Sequence, residues 1–240
     1  MSFAEVVDTY WLYFLVGQYP QGPLGGLALT IVLASLGLLL ALPAGLALGL
    51  ARLSPWAALR WPVTGLIHLV RAVPLLLVIF WVYFFLPSIT GVKTSQFSTM
   101  LMALVVYDAV YLAEIVRAGV QGLPRVQVEG ARSLGLSWLA AMRLVLLPQA
   151  LRNMLPSLVS QFVATIKATS LGYIIGLSEL AFVTTQVNTQ VFIYPTQLYL
   201  ILGLSYFVLC FSLTRVAFWL ERRLAPVSGQ HPKLPARQPA

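Results

Sequence analysis

From about Leu27 to Leu50 the chain runs without a charged residue. A helix of that length reaches about 35 Å, enough to cross the roughly 30 Å hydrocarbon core of a bilayer. Four more hydrophobic segments follow. They cover about Val63–Leu86 with Arg71 near its start, Phe97–Gly119 with Asp108, Glu114 and Arg117, Leu155–Leu177 with Lys167, and Gln197–Leu220 with Arg215 near its end. The apolar runs are continuous and do not alternate with period two, so they read as helices rather than barrel strands. The expected fold class is all-α, a polytopic membrane protein with five transmembrane helices.

Composition agrees. Only 9% of the 240 residues are charged, 59% are hydrophobic, and the mean hydropathy is +0.86, whereas a soluble domain carries about 25% charged residues. A net charge of +8 on a soluble protein would point to nucleic acid. Here the placement of the charges matters more than their sum, and no nucleic-acid partner is expected; the partner is membrane lipid. Cys210, the single cysteine, lies inside an apolar run and forms no internal disulfide. No basic region followed by an early cleavage site marks a removable signal peptide.

Basic residues set the orientation. Residues 1–26 contain none; the first loop has Arg52 and Arg60; the second has only Lys93; the third has Arg117, Arg125, Arg132, Arg143 and Arg152; the fourth, about 178–196, has none; and the tail has Arg222, Arg223, Lys233 and Arg237. This alternation puts the N-terminus outside and the C-terminus in the cytoplasm. Residues 1–224 form one transmembrane domain with a cytoplasmic loop at about 120–153, and the Pro/Gln-rich residues 225–240 read as a disordered cytoplasmic tail. No internal repeat favours a carrier built from inverted halves.

The third loop is the most informative stretch. Gly122-Leu123-Pro124 stops the third helix, and Val128–Leu147 reads as helical, broken by Gly135 and ended before Pro148. Arg132 and Arg143 make it polar on one side, while Leu134, Trp138, Leu139, Met142 and Val145 form an apolar set. Such a helix either lies on the membrane surface as a staple between spans or docks a partner.

Glu129-Gly130-Ala131, then Gly135, then Leu147-Pro148 resembles the cytoplasmic signature of importer permeases of the ATP-binding-cassette superfamily, with Gly130 where that family usually has Ala. The stretches at 68–87, 111–121, 147–162 and 167–180 are similar to the polar amino-acid branch, and most of all to glutamate/aspartate permeases, over roughly residues 24–224. That branch often has Asp where this chain has Ala168, in Lys167-Ala168-Thr169-Ser170-Leu171. The resemblance implies a type I importer-like fold with Glu129, Gly130, Ala131, Gly135, Leu147 and Pro148 on the surface coupled to the ATPase. It implies an ABC ATPase dimer, a second permease chain (a copy or a relative), an external solute-binding protein and an amino-acid substrate. ATP and Mg belong to the partner ATPase, because this chain has no Gly-x-x-x-x-Gly-Lys-Ser/Thr loop; no cofactor of its own, no metal and no catalytic residue are expected, and His68 stands without a second ligand.

Ionisable groups inside a membrane each require a reason. Tyr107, Tyr111 and Glu114 share one face of the third span. Glu114 either pairs with Arg117 as a structural lock or lines the substrate pathway. Asp108 either pairs with Lys167 or lines that pathway. Lys167, the only lysine placed within a span, suits an anionic substrate group, with Thr169 and Ser170 beside it. By resemblance Glu179 lies near the external gate, where an acid suits an amino group; the alternative is a helix-end charge facing water. Gly45 and Gly49 form a small-xxx-small pair for close helix packing. The competing function is a self-contained ion-coupled carrier or channel using Asp108, Glu114 and Lys167.

Overall fold

The computed structural model describes residues 2–224, and these are almost entirely helical; their only β pairings are two isolated bridges, Gly17 with Leu24 and Gly26 with Glu179. The residues read as a disordered tail, 225–240, lie outside the described ones. The chain opens with α1 (Phe3–Val16), started by a capping box in which the Ser2 hydroxyl accepts from the Glu5 N–H and the Glu5 carboxylate accepts from the Ser2 N–H. At about 21 Å, α1 is too short to cross a bilayer, and it has no counterpart among the five expected segments.

Four long apolar helices follow the expected pattern: α2 (Gly26–Leu53), α6 (Gln96–Gln121), the run Trp138–Ile175, and α11 (Pro195–Leu224). The second expected span is different. It is a pair, α3 (Ala57–Ala72) and the run Leu75–Thr90 made of α4 (Leu75–Phe80), a π-helical turn (Trp81–Phe85) and α5 (Leu86–Thr90), bent by 97° at the break. The cause is Pro74. Its ring excludes the α conformation from the residue before it, and Val73 sits at φ −92°, ψ 131°. Arg71 therefore lies in the last turn of α3 and does not open a span.

Pro148 has the opposite outcome. The expected helix end before it is not there. The break comes earlier, between α7 (Arg125–Ser133) and α8 (Trp138–Ala141), where Gly135 takes a left-handed φ of 78° that glycine adopts without steric cost. From Trp138 the chain stays helical through Pro148 into α9 (Leu147–Ala168) and a 3₁₀ turn (Thr169–Ile175). A π-helical turn (Met142–Leu146) immediately precedes α9. Its wider spacing accommodates a residue with no N–H and a bulky ring. Pro87 follows the π-turn Trp81–Phe85 in the same way. The helical run that carries the fourth expected span thus begins at Trp138, ahead of the apolar segment from about Leu155.

The centre of the bundle is the contact of α2 with α6. Gly37, Ala41, Gly45 and Gly49 recur every four residues and are buried on one face of α2. A Cβ added at Gly45 would lie 2.5 Å from Leu112 Cβ, and one at Gly49 would lie 2.7 Å from Val116 Cβ. The contacts advance together along both helices, Gly37 on Leu104, Gly45 on Leu112 and Gly49 on Val116, so α2 and α6 are parallel. α9 runs antiparallel to α6, with Met154 against Gly119 at one end and Gln161 and Thr165 against Asp108 farther along. α7 caps the bundle at the end where α2 and α6 finish. At the opposite end α1 packs with α10 (Leu180–Val191) and α11 through Val6, Phe14, Val183, Val187 and Leu198.

Gly45→Ala and Gly49→Ala should each lower the thermal unfolding midpoint of the detergent-solubilised chain, with an overpacking cost of about 1–3 kcal/mol. Gly203→Ala, whose added methyl meets nothing within 4 Å, should not. Equal midpoints for all three would remove close approach as the basis of the α2–α6 contact.

Candidate functional site

Ionisable and polar groups gather at three levels of the bundle. Nearest the α7 end, Glu114 of α6 receives Arg52 from the end of α2, Arg117 from its own helix and Arg71 from the end of α3. Arg117 Nε donates to Glu114 Oε1 at 3.0 Å, Arg52 donates to the other carboxylate oxygen, and Arg71 stands 3.9 Å away. The Arg71 guanidinium also lies over the Tyr111 ring, 5.1 Å from its centroid, and the Tyr111 and Tyr107 hydroxyls are 3.2 Å apart. The Glu114–Arg117 pair was legible from the sequence. Arg52 and Arg71 were not, because packing brings them in from distant parts of the chain. One carboxylate thus ties three helices together.

Near the middle of α6, Asp108 is 2% exposed. Gln161 Nε2 donates to Oδ1 at 2.8 Å and Thr165 Oγ1 lies 2.9 Å from Oδ2. Both partners are neutral groups of α9, so of the two alternatives for Asp108 the pairing with Lys167 is not formed. Lys167 is exposed and makes no ion pair among the described residues. It continues a line of exposed residues up α9, namely Asn153, Ser157, Ser160 and Ala164. Their spacing of three and four residues places them on one helix face. Ser170 is half-buried and donates to the Lys167 carbonyl at 2.7 Å. Thr169 is wholly buried and donates to the Ile166 carbonyl at 2.7 Å, so it presents no surface to a pathway.

At the α1 end, Glu179 has no exposed surface, which corrects the reading of it as a charge facing water. It is the N-cap of α10, accepting from the Ala181 and Phe182 N–H groups at 2.9 Å each and from the Tyr206 hydroxyl of α11 at 3.0 Å. Gly26 N–H donates to the neighbouring Ser178 carbonyl and Leu180 N–H to Thr30. The knot joins α2, α10 and α11, and its hydrogen bonds occupy the carboxylate.

The third-loop residues divide. On α7, Glu129 and Gly130 are exposed, Ala131 is 4% exposed and faces the bundle, and a Cβ on Gly130 would meet nothing within 4 Å. Gly135 forms the turn after α7. Leu147 and Pro148 stand at the base of α9, with Leu147 packed against the Met142–Leu146–Ala150 cluster. α7 is held by Val128 and Ala131 and by a hydrogen bond from Gln149 to Gln127. Val126 and Leu134, 72% and 81% exposed, project outward beside Glu129.

A family model for the inner membrane component of binding-protein-dependent transport systems matches residues 37–226. The chain is 36% identical over 223 residues to the Escherichia coli K12 inner membrane amino-acid ABC transporter permease protein YhdY, covering 90% of this chain and 61% of that one. It is 37% identical over 220 residues to the glutamate transport system permease protein GluD of Corynebacterium glutamicum, 89% of this chain and 79% of that one. Other matched permeases are named for glutamine and for arginine. Among solved structures, the crystal structure of an amino acid ABC transporter with histidines aligns with a TM-score of 0.81 at 28% identity, over 93% of this chain and 99% of that one.

Removing the shared carboxylate leaves three arginines facing one another. Glu114→Gln should therefore cost more stability than Arg71→Gln, whose ion pair is the longest of the three. The expected loss for Glu114→Gln is about 1–3 kcal/mol, reduced from a fully buried pair by partial exposure. Thermal unfolding of the two variants in detergent checks the order, and the reverse order would deny Glu114 its place as the hub.

Proposed function

The chain belongs to the family of inner membrane components of binding-protein-dependent transport systems, and from that premise we propose that it is the permease subunit of an ATP-driven amino-acid importer. The observation that carries the coupling is α7. It lies across one end of the bundle, is anchored by few side chains, and presents Val126, Glu129, Arg132 and Leu134 to the outside. Exposed apolar groups beside charged ones on a short surface helix suit a docking element. A separate ATPase dimer, carrying ATP and Mg, binds there, and Gly135, Leu147 and Pro148 connect that surface to the span.

The α7 end faces the cytoplasm. Arg52, Arg60, Arg125, Arg132 and Arg143 lie at that end, and Lys93 follows α5 at the other, a bias that supports this orientation. Counting the bent α3–α5 pair as one span gives five, with the N-terminus outside and the C-terminus in the cytoplasm of an inner-membrane protein. An external solute-binding protein delivers substrate at the α1 end.

The exposed face of α9, Asn153, Ser157, Ser160, Ala164 and Lys167, supports a pathway shared with a second permease chain, because lipid covers a polar face at high cost. Lys167 is the group proposed to meet the substrate carboxylate, with Ser170 next to it. The similarity to glutamate permeases and the exposed lysine together support glutamate or aspartate as cargo. The carrier alternative needs accessible acids along the pathway. The burial of Asp108 and the arginine partners of Glu114 favour the importer.

Glu129→Lys should abolish both co-purification with the ATPase and ATP-dependent uptake while membrane insertion stays normal, and Gly130→Ala should preserve both. Retention of both by Glu129→Lys would return the loop to the role of an interfacial staple. Lys167→Met should raise the KM for uptake at least about tenfold, the value of one charge-assisted hydrogen bond. Uptake unaffected by excess glutamate or aspartate would reject the acidic cargo.

A further inference from the structure

Arg71, in the last turn of α3, is the member of the Glu114 cluster whose donors are unused. Arg117 and Arg52 hydrogen-bond the Glu114 carboxylate, one at each oxygen. Arg71 Nη1 stands 3.9 Å from that carboxylate, beyond hydrogen-bond reach, and its guanidinium makes no hydrogen bond among the described residues. What steadies it is the Tyr111 ring, whose centroid lies 5.1 Å from the guanidinium carbon. A cation–π contact of this kind engages the charge and leaves the N–H donors available. The Arg71 side chain is 35% exposed, against 13% for Arg52 and 28% for Arg117, so it is the arginine of the cluster that an incoming molecule reaches most readily.

The cluster is also unbalanced. Three guanidinium groups face one carboxylate, and no other carboxylate lies within ion-pair distance of them among the described residues. Two positive charges are thus left over in a chain whose ionisable groups otherwise need partners. The surroundings suit an oxyanion. The Tyr107 and Tyr111 hydroxyls are 3.2 Å apart, so one donates to the other and one hydroxyl proton remains for a further acceptor. Arginine presents its donors as a planar fork that matches the two oxygens of a carboxylate. Both oxygens of Glu114 are already occupied by Arg117 and Arg52, which leaves the fork of Arg71 open.

We propose that Arg71, steadied by Tyr111, binds a carboxylate, and that in the importer this is the carboxylate of the amino-acid cargo at a second station beyond Lys167. The cargo assignment rests on the proposed function. Gln161 and Thr165 of α9 mark the level of Asp108 on α6. Glu114 lies six residues from Asp108 towards the α7 end, about 9 Å along the helix. Lys167 lies beyond Thr165 towards the opposite end, so the lysine and the arginine act at different levels of the bundle. Cargo moving towards α7 passes Lys167 before it reaches Arg71. The break of α3 at Val73-Pro74 ends the helix just past Arg71, which holds the guanidinium at the level of Glu114 and Tyr111.

The test labels the full-length chain in phosphatidylcholine nanodiscs with phenylglyoxal and follows each arginine by peptide mass spectrometry. Sodium glutamate should slow modification of Arg71 several-fold relative to sodium chloride at equal ionic strength, and should leave the exposed Arg60 unchanged. Tyr111→Leu, which keeps Arg71 and removes the ring beside it, should lose most of that protection, with an unfolding midpoint matching the parent's establishing that it folds. Equal modification of Arg71 in glutamate and in chloride, read on the parent chain alone, overturns the site, as does undiminished protection in Tyr111→Leu. Discs containing phosphatidylglycerol distinguish the source of the anion. Protection by that lipid in the absence of glutamate assigns the fork to a phosphate headgroup and overturns the cargo assignment. The labelling needs neither ATPase nor uptake, so its failure leaves the importer reading standing, and a failed Glu129→Lys test leaves the Arg71 result standing.

Discussion

The close approach of α2 to α6 is the contact on which the rest of the bundle depends. Between helices in a bilayer there is little hydrophobic driving force, because lipid tails are as apolar as leucine side chains, and association comes from packing and hydrogen bonds. Gly37, Ala41, Gly45 and Gly49 let the backbone of α2 sink onto Leu104, Leu112 and Val116 of α6. This contact fixes the register of the two helices as well as their distance. With Gly49 on Val116, the backbone of Arg52 stands about level with Gly119, and its long side chain reaches back along α6 to Glu114. α6 then has α2 on one side, α3 on a second through Ile67 against Val110 and Ala113, and α9 on a third through Asp108. Tyr107, Tyr111 and Glu114 occupy the remaining face.

The three acids inside the bundle are each stabilised differently, and each is used to join helices. Glu114 is met by arginines, Asp108 by a neutral amide and a hydroxyl, and Glu179 by the free N–H groups of a helix start and a tyrosine. A helix N-terminus is a natural place for a carboxylate, since its first N–H groups lack partners. Several cations are placed the other way. Lys167, Arg60 and Arg143 are exposed, with no carboxylate beside them among the described residues. Among the described residues, these acids are thus spent on joining helices, while these cations are left on the surface.

Four of the spans were legible because hydropathy alone identifies them. Hydropathy reports apolarity and not direction, so the apolar stretch around Pro74 looked like one straight helix when it is two crossing at 97°. Proline misled in both directions. Pro74 follows a residue forced into extended conformation, whereas Pro87 and Pro148 follow π-turns that widen the helix ahead of them. Nothing local in the sequence separates these cases, since the π-turns depend on packing. α1 was missed because it is shorter than a span, although the spacing of Ser2 and Glu5 is a readable capping box. Glu129 and Gly130 are exposed on α7, and Leu147 and the exposed Pro148 stand at the base of α9, a separation that the sequence spacing does not reveal. The Arg52–Glu114–Arg71 cluster joins residues from three helices, a proximity that one sequence without its fold does not reveal.

α9 and its leading turns connect the two regions that the proposed function needs. The helical run from Trp138 to Ile175 has 38 residues and spans about 55 Å, well beyond the roughly 30 Å hydrocarbon core. The run is longer than the core requires; its first turns pack beneath α7 through Met142 and Leu146, while its far turns carry Lys167 and contact α6 through Gln161 and Thr165. In the proposed function, a displacement of α7 by a docked ATPase would meet the π-turn at Met142–Leu146 first, at a place where the regular hydrogen-bond ladder is already interrupted. Beyond that turn the helix is continuous, so a tilt at its base moves the face bearing Asn153, Ser157, Ser160 and Lys167 as one body. The Asp108 hydrogen bonds are the cross-brace that such a tilt would carry along or break, so on the proposed function the α6–α9 contact is where coupling and substrate pathway would meet.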